Sequence, residues 1–482
     1  MVNSRQKILT PLNLDKCLSV GSIVEAMNEC SFGARMLGEV TNKIYDWITK
    51  NQQPLAIYEV SSNSPLDELL TEMVRRKWLK KVLTIEDYAQ KSTPEDNVVV
   101  IGAYSQRYEN ILYNKPKEAI YINQYGIANP HQINDGYFPN VVFADPRLIL
   151  PLIFTSLEEK LIDKKTDILE LIATIKKYGG LATEVSEGCE TLLTMVKDPD
   201  CFVFLTISGA MTIAKMGLIF CDLIDKNMVQ GLCSTGALMA HGLVESVGLN
   251  HFKYNPHDDD QTLAKLKLNR VTDTLEPESN LTDVTLMMND ILAKYEENHI
   301  ISPTNFHNII GEYLSKKYGE YRGILKSAYE QNVPVFVPAF YDSEIGNNMY
   351  IHNLIRKNQG QKTFTIDMES DIKLLLDIFE DSPKIGIFTI GGGVPRNFIQ
   401  NVAPLKEHLR EELNMDFALK KITYGCRICP DPMYYGHLSG CTYSEGMSWR
   451  KMNINGKFSE VHADATLILP LMVKYVIDCL KT

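Results

Sequence analysis

The chain has 482 residues, of which 45% are hydrophobic, 23% charged and 9% aromatic; such a chain buries a core, which excludes a disordered or collagen-like protein. Lys and Arg number 49 against 60 Asp and Glu, a formal net charge of −11, which argues against a nucleic-acid-binding body and suits a cationic ligand such as an amine. No apolar run reaches the ~20 residues that span a bilayer, and no apolar signal-peptide core follows Met1–Lys7. With ten scattered cysteines, the expectation is a cytoplasmic protein with reduced thiols.

The N-terminal region reads helical over 17–50, because Val24, Met27, Phe32, Met36, Leu37, Val40, Ile44 and Trp47 recur at helical spacing. Short apolar runs at Leu55–Val60, Val98–Gly102 and Ala119–Ile122 predict buried strands. A turn is expected at Ser61–Pro65, and a charged linker over 159–168. Cys201–Leu205, Val335–Val337 and Ile385–Ile390 are further strands, alternating with helical stretches. That alternation predicts an α/β fold with a parallel sheet.

The sequence also echoes itself. Ala144-Asp145-Pro146-Arg147-Leu148-Ile149-Leu150-Pro151-Leu152 agrees with Ala463-Asp464-Ala465-Thr466-Leu467-Ile468-Leu469-Pro470-Leu471 at seven of nine positions. Upstream of each lies a strand ending in glycine, Gly102 and Gly391. The helix openings Ser31-Phe32-Gly33-Ala34 and Tyr178-Gly179-Gly180-Leu181 also rhyme. The expected organisation is a degenerate partial copy within 1–160 and a full copy over 166–482.

Several segments could carry chemistry. Ile387–Ile390 runs into Gly391-Gly392-Gly393-Val394-Pro395. Glycines let a backbone approach a pyrophosphate, and a helix N-terminus offers N–H donors; the same pattern also makes a tight strand-to-helix turn. Lys451 lies close to Trp449 and Arg450, where an apolar wall and a neighbouring cation would favour a neutral, nucleophilic amine. An exposed lysine beside a surface tryptophan is the plainer reading. Cys426, Cys429, His437 and Cys441 could form a zinc knuckle or be free loop thiols. His257-Asp258-Asp259-Asp260 could hold a hard cation or be a solvated acidic loop. Ser234-Thr235-Gly236-Ala237 is another candidate phosphate turn.

Taken in order, these segments resemble deoxyhypusine synthase and its bacterial and archaeal deoxyhypusine-synthase-like relatives. The resemblance rests on Phe204–Met211, Ser234–His241, Leu268–Val271, Val337–Gly346, the triple glycine, His437–Gly440, Ser448–Lys451 and Ala463–Ala465, and covers about 170–482. It implies a Rossmann-like sheet with flanking helices and a homo-oligomer, a tetramer with active sites at dimer interfaces. It also implies an NAD-dependent transferase, which oxidises a polyamine such as spermidine and passes the aminobutyl group through a lysine imine. The implied acceptor is a lysine of the translation initiation factor 5A precursor or a small amine such as putrescine. No metal, nucleic acid or membrane is implied. Carried over by motif, Lys451 is the imine-forming lysine. Thr235, Gly236, Asp342, Gly391, Gly392, Gly393, Ser439, Asp464 and Ala465 fall on cofactor-contacting segments. His241, Glu344, Asn397, Trp449 and Glu445 fall at the substrate.

The departures lie in the polyamine grip. A family glutamate falls on His241, with Gly242 beside it where relatives place an aspartate. Other family acids fall on Asn347 or Asn348 and on Leu438; a histidine falls on Asn397. Arg450 replaces a glycine, and Gly209-Ala210 a Ser-Asn pair. Because the amine-holding acids are gone, the second expectation is a catalytically idle, NAD-binding regulatory subunit that works with a paralogue.

Overall fold

The computed structural model describes residues 7–58, 64–91, 95–102, 116–123, 139–294, 299–436 and 438–481. Two parallel sheets organise them. The larger has six strands in the spatial order Val335–Phe336, Gly231–Ser234, Cys201–Ile207, Lys384–Ile390, Ile422–Ile428 and Met452–Val461. Numbered along the chain, this is the doubly wound order 3-2-1-4-5-6, with its reversal between Cys201–Ile207 and Lys384–Ile390. The smaller sheet holds Lys81–Leu83, Leu55–Tyr58, Asn97–Ile101, Glu118–Ile122 and Val141–Val142, an order 2-1-3-4-5. It equals the larger order with the third strand removed.

The flanking helices correspond as well. Val20–Met27 and Ile168–Ile175 have eight residues each, and Phe32–Thr49 and Gly180–Lys197 have 18 each. Pro146–Ile162 and Ala465–Lys481 have 17 each, with Pro151 and Pro470 at the same position. The repeated aspartates cross over. Asp464 accepts from Thr466 N at 2.8 Å in its own helix and from Gly33 N at 3.1 Å in the N-terminal segment. Asp145 accepts from Arg147 N at 2.9 Å and from Leu181 N at 3.4 Å in the C-terminal segment. Each segment thus caps the other's long helix, at the second helical residue in both cases. On this shared order we propose the partial copy within 1–160 and the complete one over 166–482.

One apolar core runs through both segments, joining Leu37, Leu148, Val185, Leu205, Leu238 and Leu467. A second cluster, with Phe204, Cys233, Phe336, Phe379, Ile387, Ile399 and Tyr443, fills the opposite face of the larger sheet. Phe204 and Leu205 belong to different clusters because successive strand residues point to opposite faces. Among the described residues, no helix is long and apolar enough to cross a membrane.

The structure corrects several sequence expectations. The helix expected over 17–50 is two helices, Val20–Met27 and Phe32–Thr49. They fold against each other where Gly38 meets the Asn28 backbone: a Cβ on Gly38 would lie 2.6 Å from Asn28 Cα. Periodicity misses the break because both helices bury apolar faces in the same core. The linker candidate is helical to Ile162, and Asp167 caps the next helix. Ser64 caps Pro65–Arg75, while 61–63 lie outside the described residues. Among the strands not foreseen, Ile422–Ile428 and Met452–Val461 belong to the larger sheet. Their polar residues satisfy one another: Arg427 lies opposite Glu460, with Nη2 to Oε2 at 2.7 Å. In the acidic stretch, Asp259 caps a helix by accepting from Thr262 N, and Asp260 pairs with Arg270 at 2.6 Å.

Replacing Asp145 or Asp464 by alanine removes a cap and its cross-segment bond. Each change is expected to cost about 1 kcal/mol, read as a shifted midpoint in chemical denaturation. The transition stays single because the core is shared.

Candidate active site

In a parallel sheet every strand's carboxyl end emerges on one edge, where α/β proteins hold ligands. All the expected cofactor residues follow such an end. Thr235 and Gly236 follow Ser234, Asp342 lies in the turn after Phe336, and Gly391–Gly393 follow Ile390. Ser439 lies beyond Ile428, and Asp464 and Ala465 beyond Val461.

The triple glycine sits at the topological switch point. Gly391 and Gly393 have φ of 77° and 64°, the left-handed region that glycine enters freely. Gly392 N donates to Ser208 Oγ at 3.0 Å, across from the neighbouring strand. A Cβ on Gly392 would lie 2.7 Å from Ser439 Cα, whereas one on Gly393 would meet nothing within 4 Å. The helix Gly393–Gln400 therefore starts at an open face, with no side chain capping it. Gly236 is pressed against the Asp342-Ser343 turn: a Cβ there would lie 2.8 Å from Ser343 Cβ. Thr235 begins its helix without a side-chain cap bond. Asp464 stands apart, because both its oxygens already accept backbone N–H groups.

Lys451 lies between the short helix Tyr443–Ser448 and the last strand. Its Nζ donates to Asn397 Oδ1 at 2.8 Å and sits 5.9 Å from the Trp449 ring centre. Asn397 is one turn beyond Gly393. These residues line a cleft of about 780 Å³, with Arg396, Tyr435, Cys441, Glu445 and Arg450 among its walls. Burial pushes the Lys451 ammonium below its ordinary pKa; Cys441 opposes the shift and Arg396 adds to it. The cation expected to do this, Arg450, pairs instead with Glu407 at 2.6 Å. Arg450 has φ 60°, which explains the glycine of the related pattern: a residue with a Cβ costs about 1 kcal/mol there.

Sequence reasoning missed the two arginines that hold the cleft's far wall. Arg396 and Arg427 are buried, and both donate to the Cys441 carbonyl, at 2.6 and 2.8 Å. Arg427 also donates to the Ser439 carbonyl, and Ser439 Oγ bonds Asp431. The available signal was a lone arginine inside an otherwise weakly polar strand. The zinc expectation is not met by the described cysteines. Cys426, Cys429 and Cys441 direct their sulfurs to three different carbonyls, of Gly188, Ser439 and Thr442. His437 lies outside the described residues.

The expected substrate residues divide. Asn397, Trp449 and Glu445 line the Lys451 cleft, but His241 and Glu344 do not. His241 sits on helix Gly236–Ser246, whose Leu238 and Leu243 enter the large core. The Lys451 cleft sits over the second cluster, through Ile399 and Met452. Within one chain, therefore, the sheet separates the two groups. His241 Nδ1 lies 2.7 Å from Glu276 Oε2, a carboxylate the sequence reading did not single out.

A family model described as deoxyhypusine synthase matches residues 170–476. "Probable deoxyhypusine synthase 2" of Methanosarcina acetivorans is 31% identical over 309 residues, covering 64% of this chain and 86% of that protein. "Deoxyhypusine synthase-like protein" of Chlorobaculum tepidum is 33% identical over 315 residues, again 64% and 86%. "Probable deoxyhypusine synthase 2" of Archaeoglobus fulgidus is 32% identical over 301 residues, 61% and 93%.

The Lys451 environment makes a direct prediction. Labelling of Lys451 by an amine-selective reagent should show a midpoint below the ordinary 10.5. In Asn397→Asp the new carboxylate favours the ammonium, so the midpoint should rise by about one pH unit.

Proposed function

Because the chain belongs to the deoxyhypusine synthase family of transferases, we propose that it is an NAD-dependent aminoalkyl transferase acting through an imine on Lys451. One observation carries this reading. A half-buried lysine with a lowered pKa is held by Asn397 in a cleft that opens at the triple glycine. A neutral amine is the nucleophilic form, and burial favours it.

The residues present fit a dinucleotide. Gly393 fronts open space at an uncapped helix start, and Thr235, whose side chain makes no cap bond, precedes Gly236 against the Asp342-Ser343 turn. Gly391 N and Gly392 N are already bonded to the Ile428 carbonyl and Ser208 Oγ, so the N–H at Gly393, on the open helix start, would face the pyrophosphate, and Asp342 would accept from ribose hydroxyls. When bound, the nicotinamide supplies hydride acceptance from the amine carbon and hydride return at the end. The chain's own part lies between those events. Lys451 adds to the imine carbon of the oxidised donor, the donor's nitrogen leaves as a free amine, and Lys451 keeps the alkyl fragment as its imine. An acceptor amine then displaces Lys451 in the same way. Glu445, in the cleft wall, meets a cationic amine, and Trp449, 64% exposed, covers its methylene chain.

His241 and Glu344 lie across the sheet from Lys451. The proposal therefore includes a homo-oligomer that brings the Lys451 cleft of one chain to the His241 face of another. A protein lysine, as in the translation initiation factor 5A precursor, and a small amine such as putrescine are the two acceptor classes.

Purified protein with NAD and spermidine, putrescine, agmatine or homospermidine should form NADH with at least one donor. Borohydride should trap the fragment on Lys451, and Lys451→Ala should abolish the adduct. NAD binding with silence for every amine would instead assign the chain a regulatory role beside a paralogue.

A further inference from the structure

We propose that Glu276 positions His241 as the acceptor of a proton from an ammonium group bound at Glu344; this rests on the amine-transfer reading above. The geometry is a buried series of charged and titratable side chains. Lys215 Nζ lies 2.8 Å from His251 Nδ1 and also pairs with Glu245. His251 Nε2 lies 3.4 Å from Glu276 Oε1. Glu276 Oε2 lies 2.7 Å from His241 Nδ1. Lys215, His251 and Glu276 are all at most 1% exposed.

This series sets each proton. A lysine ammonium has donors and no acceptor. His251 Nδ1 must therefore accept from Lys215, which leaves the His251 proton on Nε2, facing Glu276. Burial alone would raise the Glu276 pKa, but the facing His241 and His251 rings outweigh it and hold the carboxylate at about 2; these are close ion-pair approaches, since His241 Nδ1, His251 Nε2 and Glu276 Oε1 make no aligned hydrogen bond. An ionised Glu276 in turn keeps the His241 proton on Nδ1. The lone pair of His241 is then on Nε2, at the partly exposed end of the ring, where the side chain is 21% exposed. This is the orientation of a carboxylate-held general base.

The groups that bear on His241 come from two other elements. Glu276 lies on strand Thr274–Pro277 and Glu344 at the start of helix Glu344–Asn358. Both raise the His241 pKa, and together they overcome the burial that lowers it. Glu245, Lys215 and His251 act one step further back, through Glu276. Glu344 Oε2 is buried without a hydrogen-bond partner, so it has an acceptor to offer a cation. The reaction requires this step, because a protonated amine cannot lose hydride from its carbon. An ammonium N–H gives its proton to His241 Nε2, leaving a neutral amine at Glu344 and an imidazolium held by Glu276. The atoms and charge balance without an oxidant.

Ethoxyformylation of His241, followed by peptide mass spectrometry across pH, reads the neutral imidazole with no cofactor present. The midpoint should lie above the ordinary 6.5. It should fall by about one pH unit in Glu276→Gln and in Glu344→Gln; the latter, at the more accessible residue, carries the test if Glu276→Gln does not fold. Putrescine should slow the modification in the native protein and not in Glu344→Gln. A midpoint at or below 6.5, one unmoved by both substitutions, or a rate indifferent to putrescine would overturn the assignment. A protein that shows these shifts yet forms no NADH with any amine loses the transfer reading alone. One that forms NADH with an unmoved midpoint loses only the role given to Glu276 and His241.

Discussion

All six strands of the larger sheet run the same way, and the rest of the molecule's candidate chemistry follows from that constraint. Parallel strands need crossovers, so helices cover both faces and every carboxyl-terminal loop leaves one edge. Residues as distant in sequence as Thr235 and Ser439 thereby reach a common rim. The reversal between Cys201–Ile207 and Lys384–Ile390 opens a crevice there, and the triple glycine lies in it. The same constraint separates Lys451 from His241, since helices on opposite faces cannot share a cleft through a packed sheet.

The second organising feature is the exchange of helix caps between the two segments. Asp145 and Asp464 occupy equivalent places at equivalent helix starts, and each also serves the other segment. The surroundings of the two differ. Arg147 folds back onto Asp145, whereas the matching Thr466 Oγ1 accepts from Ala34 N. The N-terminal segment makes the matching cap contact while lacking a Ser-Trp-x-Lys block.

Lys451 illustrates how the setting of a side chain shifts its pKa. Its neighbours in sequence, Trp449 and Arg450, contribute little to its charge state: one is largely exposed and the other is turned to Glu407. Burial lowers the Lys451 pKa, Cys441 opposes that and Arg396 adds to it, while Asn397, from the helix after the triple glycine, accepts its hydrogen bond. Arg396 is itself fixed by the Cys441 carbonyl, which Arg427 also holds. The wall of the cleft, its electrostatics and the last two strands thus form one connected unit.

The sequence by itself determined the strands rich in Val and Ile, the likeness of the segments around Asp145 and Asp464, and the candidate residues at the sheet rim and at Lys451. These are local signals: apolar runs, glycine turns and short motifs whose residue types dictate their backbone. Tertiary structure alone decided the rest. Strands Ile422–Ile428 and Met452–Val461 were hidden because Arg427 and Glu460 neutralise each other only once they are paired across the sheet. The break at 28–31 was hidden because both helices bury the same kind of face. The series Lys215, His251, Glu276 and His241 was hidden because its members come from four separate stretches, and a buried charge is tolerated only when its partner arrives with it.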